Sequence, residues 1–236
     1  MTSAMTSDAR IPVPPGSAWA VGDCDGIRDR GPRGDGGPAL DAGGLAAVLA
    51  VWPVLGTLVE EGALRLHTPL TAYGPTLGRS TAHQILTRTG DHELLARLAE
   101  QVTGRPLADL AAERIWRPLA MTRTAFAPTL HTVLEDTAAF LRHLLVPGPL
   151  SPAWIADSLR IRTGELAPDR GLLWRPAPGT DRRQDIWVHH ATPGPTALWI
   201  SPRHRRWAAL LTPPAPHAPP HTGLRDAFRA FAFDPA

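Results

Sequence analysis

The chain of 236 residues contains no lysine, all 24 of its basic residues being arginine. A lysine general base is therefore excluded, as is the Gly-Lys-Ser/Thr turn that seats a nucleotide phosphate. The glycine-rich run Arg30-Gly31-Pro32-Arg33-Gly34-Asp35-Gly36-Gly37 accordingly reads as part of a mobile loop over residues 29–38, too poor in apolar side chains to pack. A single cysteine, Cys24, rules out an internal disulfide; it sits in the turn-like Gly22-Asp23-Cys24-Asp25-Gly26 with no nearby histidine or helix start to activate it. Net charge is only +2, with both signs interspersed, so neither nucleic acid nor an anionic membrane is an expected partner. Residues 1–15 lack a basic stretch followed by an apolar one, which predicts a flexible N-terminus and a cytoplasmic protein. One long apolar run, residues 43–59, is marginal in length for a membrane span and carries Pro53; it reads as a buried helix.

With 43% hydrophobic residues the chain can bury a substantial core, and residues 1–236 read as one domain. Exclusive arginine usage, 26 prolines and 21 glycines have the look of bacterial coding bias. Residues 17–21 read as an opening strand and residues 45–61 as a helix stopped by Gly62. Leu94, Leu95, Leu98 and Val102 form one apolar stripe of a helix over residues 91–103, closed by Gly104. Shorter helices follow over residues 107–115 and 133–145. Short β-rich runs at 171–174, 186–188, 196–200 and 207–212 predict three or four antiparallel strands, and residues 222–231 a closing helix with Leu224, Phe228 and Phe231 on one face. The order strand, helices, strands, helix predicts an α+β fold in which both ends of the chain share one antiparallel sheet flanked by helices.

Several landmarks occur in sequence: Val59-Glu60-Glu61-Gly62-Ala63-Leu64-Arg65-Leu66-His67-Thr68-Pro69-Leu70, then Thr81-Ala82-His83-Gln84-Ile85-Leu86-Thr87-Arg88-Thr89-Gly90, then Pro118-Leu119-Ala120-Met121-Thr122-Arg123-Thr124, and finally His190-Ala191-Thr192 before Ala197-Leu198-Trp199-Ile200-Ser201-Pro202. From about residue 12 to 231 this series resembles the serine β-lactamases, D-alanyl carboxypeptidases and esterases of the penicillin-binding-protein type. The resemblance implies a truncated form of that fold, with a reduced helical lobe at about residues 60–145. It also implies a catalytic apparatus made of Ser-x-x-Lys, Tyr-x-Asn and His/Lys-Thr-Gly. At the first motif the chain carries Leu45 and Val48, and the segment that would hold the second is deleted. In the third, His190 keeps the donor position, while Ala191 and Thr192 replace threonine and glycine. No serine lies between Ser17 and Ser80, so a shifted alignment restores nothing.

Canonical serine β-lactamase or peptidase activity is therefore predicted absent, and the vestigial cleft is expected to be lined by Leu45, Val48, His190, Ala191 and Thr192. Asp185 near His189 and His190 is the best remaining catalytic constellation, suited to acid–base chemistry or cyclisation in specialised metabolism. Ser80, three residues before His83, reads as a helix cap rather than a relocated nucleophile, and Ser201 before His204 as a turn residue. Adjacent His189 and His190 on a strand would point to opposite faces, and His217 and His221 lie in a proline-rich loop without zinc-like spacing; no metal and no cofactor is expected. The leading expectation is a non-catalytic homologue that binds a small hydrophobic molecule or a protein partner, with most of the eight tryptophans in the core and one or two lining the cleft.

Overall fold

The computed structural model describes residues 13–31, 39–88, 91–164, 168–178, 185–191, 194–213 and 222–234. Residues 1–12 of the expected N-terminal tail, 32–38 of the expected loop, Thr192, His217 and His221 lie outside the described residues. Two strands open the chain, β1 (Ala18–Asp23) and β2 (Ile27–Gly31); a small sheet follows from β3 (Leu40–Asp41), β4 (Ala125–Phe126) and β5 (Leu130–Thr132). The C-terminal part supplies β6 (Arg175–Pro176), β7 (Trp187–His190), β8 (Ala197–Ser201) and β9 (Arg206–Leu211). These four join β1 and β2 in a six-stranded sheet of order β2-β1-β9-β8-β7-β6, antiparallel throughout. Ala18 pairs with Leu211 and Asp23 with Arg206, so both ends of the chain do share one sheet layer, as the α+β order implied.

Residues 29–31, read from sequence as loop, form the second half of β2. Polar composition misled there because an edge strand needs only backbone pairing, and charged side chains on an exposed edge discourage further strand addition. Gly31 is required by proximity: a Cβ there would lie 2.6 Å from Trp19 Nε1. Residues 171–174 form a turn rather than a strand, closed by the Gly171 N–H donating to the Trp174 carbonyl at 2.8 Å.

The apolar run becomes the central helix. It begins as a tight 3-10 turn (Gly43–Leu45), widens to a π-type turn (Ala47–Val51) and continues as α1 (Trp52–Glu60). Pro53 has no N–H for the Leu49 carbonyl four residues back, and Trp116 Nε1 donates to that carbonyl instead at 2.8 Å. Residues 47–58 are all buried, so this is a core helix despite its spanning length. Around it pack α2 (Ala82–Thr87), α3 (His92–Thr103), α4 (Leu107–Ala111), α5 (Leu134–His143) and α6 (Pro152–Ser158). Asp91 caps α3 by accepting from Leu94 N, and Gly104 closes it at φ 68°. At α2 the cap is Thr81 rather than Ser80. Its hydroxyl accepts from Gln84 N while the Gln84 side chain accepts from Thr81 N, a reciprocal box that Ser80, one residue earlier, is out of register to form.

Strand pleating divides the core in two. Trp187 and Ala191 join the large cluster around α1, whereas Ile186 and Val188 face a smaller one under α7 (Thr222–Phe233). There Phe228 packs against Trp199 and Trp19, with ring centroids at 5.5 and 5.9 Å. By the same alternation His189 faces the α1 side and His190 the α7 side.

Candidate functional site

Leu45 closes the 3-10 turn at the start of the central helix, and Val48 follows one turn later. Both are 0% exposed. Packed hydrocarbon thus forms the floor beneath the start of the central helix. The chain also lacks asparagine, so a Tyr-x-Asn motif cannot lie elsewhere. Tyr73 is engaged locally, its hydroxyl accepting from Arg65 N at 2.8 Å.

On the facing strand the imidazole turned toward this floor belongs to His189. Its ring lies 6.2 Å from that of Trp174, edge to face, and its Nδ1 is 3.4 Å from the Leu173 carbonyl. Burial pushes its pKa down to about 4; the Leu173 and Gly44 backbones act the other way, and His92 and Arg175 add to the depression. Nε2 is buried without a hydrogen-bond partner. Proximity to Gly44 ties β7 to the start of the central helix, the relation that the His/Lys-Thr-Gly resemblance implies. The sequence expectation placed His190 in the donor position; by strand alternation it is His189 that faces the α1 side.

His190 lies on the other face. Burial, followed by Arg175, Arg225, His189 and Arg170, pushes its pKa down to about 3. Asp185 is not its partner: its Oδ1 accepts from Trp187 Nε1 at 2.8 Å, at a residue with φ 49°. The acid–base pair weighed from sequence is thus not assembled. A residue that sequence reading passed over is His92, half-buried at the first position of α3, where burial lowers its pKa and Asp91 partly opposes this. It follows directly on the segment where the second motif is missing and acts electrostatically on His189; an imidazole just inside a capped helix start was the available signal.

Ser80 is exposed and has no imidazole partner, and His83 instead stacks on His67 with centroids 4.5 Å apart. Ser201 Oγ lies 2.9 Å from His204 Nδ1 and accepts from His204 N at 3.4 Å, but Ser201 is 0% exposed at the β8–β9 turn. That turn is at the opposite end of β8 from Ala197, the residue paired with His190. Ser158 accepts from Trp52 Nε1, and Ser151 caps α6. Asp23, Cys24 and Asp25 bring three potential metal ligands within 4.8 Å. The Asp23 carboxylate, however, already accepts from Asp25 N, Gly26 N and Arg28 Nε, and these hold its pKa below the usual carboxylate range. This is a closed turn rather than a receptive site. A cavity of about 520 Å³ lies away from the floor, between Thr76, Leu77 and the α3 residues Arg97, Glu100 and Gln101.

Comparison with known proteins bears on the family and the fold. The Beta-lactamase family pattern matches residues 87–227, beginning after the helix that carries Leu45 and Val48. The fold is similar to that of a beta-lactamase from Mycobacterium bovis (TM-score 0.70, 19% identity, covering 93% of this chain and 96% of that one). It is also similar to a beta-lactamase/D-alanine carboxypeptidase from Yersinia pestis (TM-score 0.70, 15% identity, 92% of each chain) and to an octameric penicillin-binding protein homologue from Pyrococcus abyssi (TM-score 0.72, 13% identity, 91% of this chain and 73% of that one). No curated protein matches. With the pattern spanning more than half of the sequence and the fold shared along nearly all of it, the chain belongs to the beta-lactamase family.

Proposed function

We propose that this member of the family has lost the acyl-serine mechanism and works by binding, with a small molecule as its ligand. The observation that carries the reading is the pair Leu45 and Val48, both fully buried where a nucleophile and base would stand, in a chain without lysine. Removing either group from a serine hydrolase costs on the order of a millionfold in turnover, and here both are replaced by hydrocarbon. The residues of the expected cleft are the apolar Leu45 and Val48, the buried neutral imidazole of His189 and, beside it, the indole of Trp174. That combination suits a hydrophobic ligand with one hydrogen-bonding group. The acid–base alternative receives less support, because His190 is held far below neutrality and Asp185 is bound to Trp187.

The same proposal includes a single-domain protein in the bacterial cytoplasm, which cell fractionation tests. For the central reading the experiment is turnover of a chromogenic β-lactam and a nitrophenyl ester, run beside a thermal-shift screen of small molecules. Stabilisation by a compound that is not consumed supports binding, since a ligand raises the melting temperature by favouring the folded state. Saturable turnover that disappears with one serine replaced overturns it. A protein partner captured in place of any small ligand would keep the loss of chemistry and replace the ligand class.

A further inference from the structure

The α7 face of the sheet edge gathers Arg175, Arg225 and His190 with no ion-paired carboxylate among the described residues. Arg175 on β6 pairs with Val188 on β7, so Arg175, Val188 and His190 project from the same face, with Arg175 and His190 as diagonal neighbours. α7 covers this face through Phe228 and Ala232. Arg225 lies one turn before Phe228 on the same stripe, which turns it toward the sheet. Three polar atoms here are buried without a hydrogen-bond partner: Arg175 Nε, His190 Nδ1 and one terminal nitrogen of Arg225. Among the described residues no carboxylate forms an ion pair with Arg170, Arg175 or Arg225, and Asp226 acts on Arg225 only at a distance. Nearby like charge and burial act together, with Arg175 lowered to about 10 and His190 to about 3.

Half-buried guanidinium groups are ordinarily paired, because desolvating an unpaired cation is costly. An oxyanion would resolve the arrangement, since a guanidinium offers parallel N–H donors matched to carboxylate or phosphate oxygens. We propose that Arg175, Arg225 and His190 form a binding site for a carboxylate or phosphate group on the α7 face of the sheet, opposite the Leu45 floor. The site is independent of the cleft and stands whether or not the cleft binds a ligand.

The test is titration with inorganic phosphate and with acetate at constant ionic strength, chloride serving as the reference anion. It is read by melting temperature and by the NMR shift of the His190 ring proton, assigned from His190→Gln. Among the described residues the groups that act on that ring are Arg175, Arg225, His189 and Arg170, while Asp226 acts on Arg225. Saturable stabilisation in the wild type and in Arg97→Gln, lost in Arg175→Gln and Arg225→Gln, is the expected result. The His190 titration midpoint should rise from about 3 once an anion occupies the site. Phosphate acting without acetate assigns a phosphate ligand, and the reverse a carboxylate. Equal response to all three anions, or the same shift in Arg175→Gln as in Arg97→Gln, would overturn the site. Should the arginine variants fail to fold, an unmoved His190 signal in the wild type would overturn it equally.

Discussion

Replacing His189 by leucine should remove a defined part of the protein's acid sensitivity. In the folded chain burial holds this imidazole at about 4, against an ordinary value of 6.5. Between these pH values the unfolded chain binds a proton that the folded chain does not, so stability is complete above 6.5 and declines as the pH falls toward 4. At roughly 1.4 kcal/mol per factor of ten, His189 accounts for about 3 kcal/mol lost between pH 7 and pH 4. His83, His92, His143 and His190 are also held below their ordinary value; the contributions of His83 and His143 are common to wild type and variant, and the small electrostatic influence of His189 on His190 and its coupling to His92 change in the same direction as the loss of its own titration. Leucine fills a similar volume and removes the unpartnered Nε2, so the variant should be close to wild type at pH 7. Urea unfolding followed by tryptophan fluorescence, at pH 7 and pH 4, gives the four free energies needed. Equal acid losses in wild type and His189→Leu would refute the placement of His189 as a buried neutral imidazole on the α1 side.

Leu45→Ser should destabilise by about 3 kcal/mol or more, through the cavity and an added buried hydroxyl, and adding Val48→Lys should unfold the chain rather than restore hydrolysis; thermal melts and a β-lactam assay check both. Gly56→Ala gains about 1 kcal/mol in helix propensity, but its Cβ would meet Trp154 Nε1 at 2.5 Å, and overpacking of roughly 1–3 kcal/mol should give a net loss in chemical denaturation. Thr81→Ala should cost about 1 kcal/mol whereas Ser80→Ala stays within about 0.5, separating the true cap of α2 from its neighbour.

The fold was legible where side-chain pattern and backbone demand coincide. The stripe of Leu94, Leu95 and Leu98 between Asp91 and Gly104 gave α3 nearly to the residue, and the apolar runs before and after residue 200 gave β8 and β9. β2 was obscured because an edge strand leaves no apolar signature, and Thr81 because a capping box depends on a side chain three residues on. At the site, the absence of lysine and of any serine between Ser17 and Ser80 could be read directly. Which histidine faces the central helix could not, because the answer turns on pleat parity and His189 and His190 differ by one residue. The arginine cluster was hidden more deeply: Arg175 and Arg225 are fifty positions apart, and only the packing of α7 on the sheet brings them to one face.

The loss of acyl-serine chemistry is tested most directly by treating the purified protein with a fluorophosphonate and mapping any adduct by mass spectrometry. With Leu45 and Val48 sealing the helix start, the account predicts unmodified protein at probe concentrations that label an active serine hydrolase to completion. A stoichiometric adduct on one serine, Ser201 beside His204 above all, that is absent from the corresponding alanine variant would contradict it.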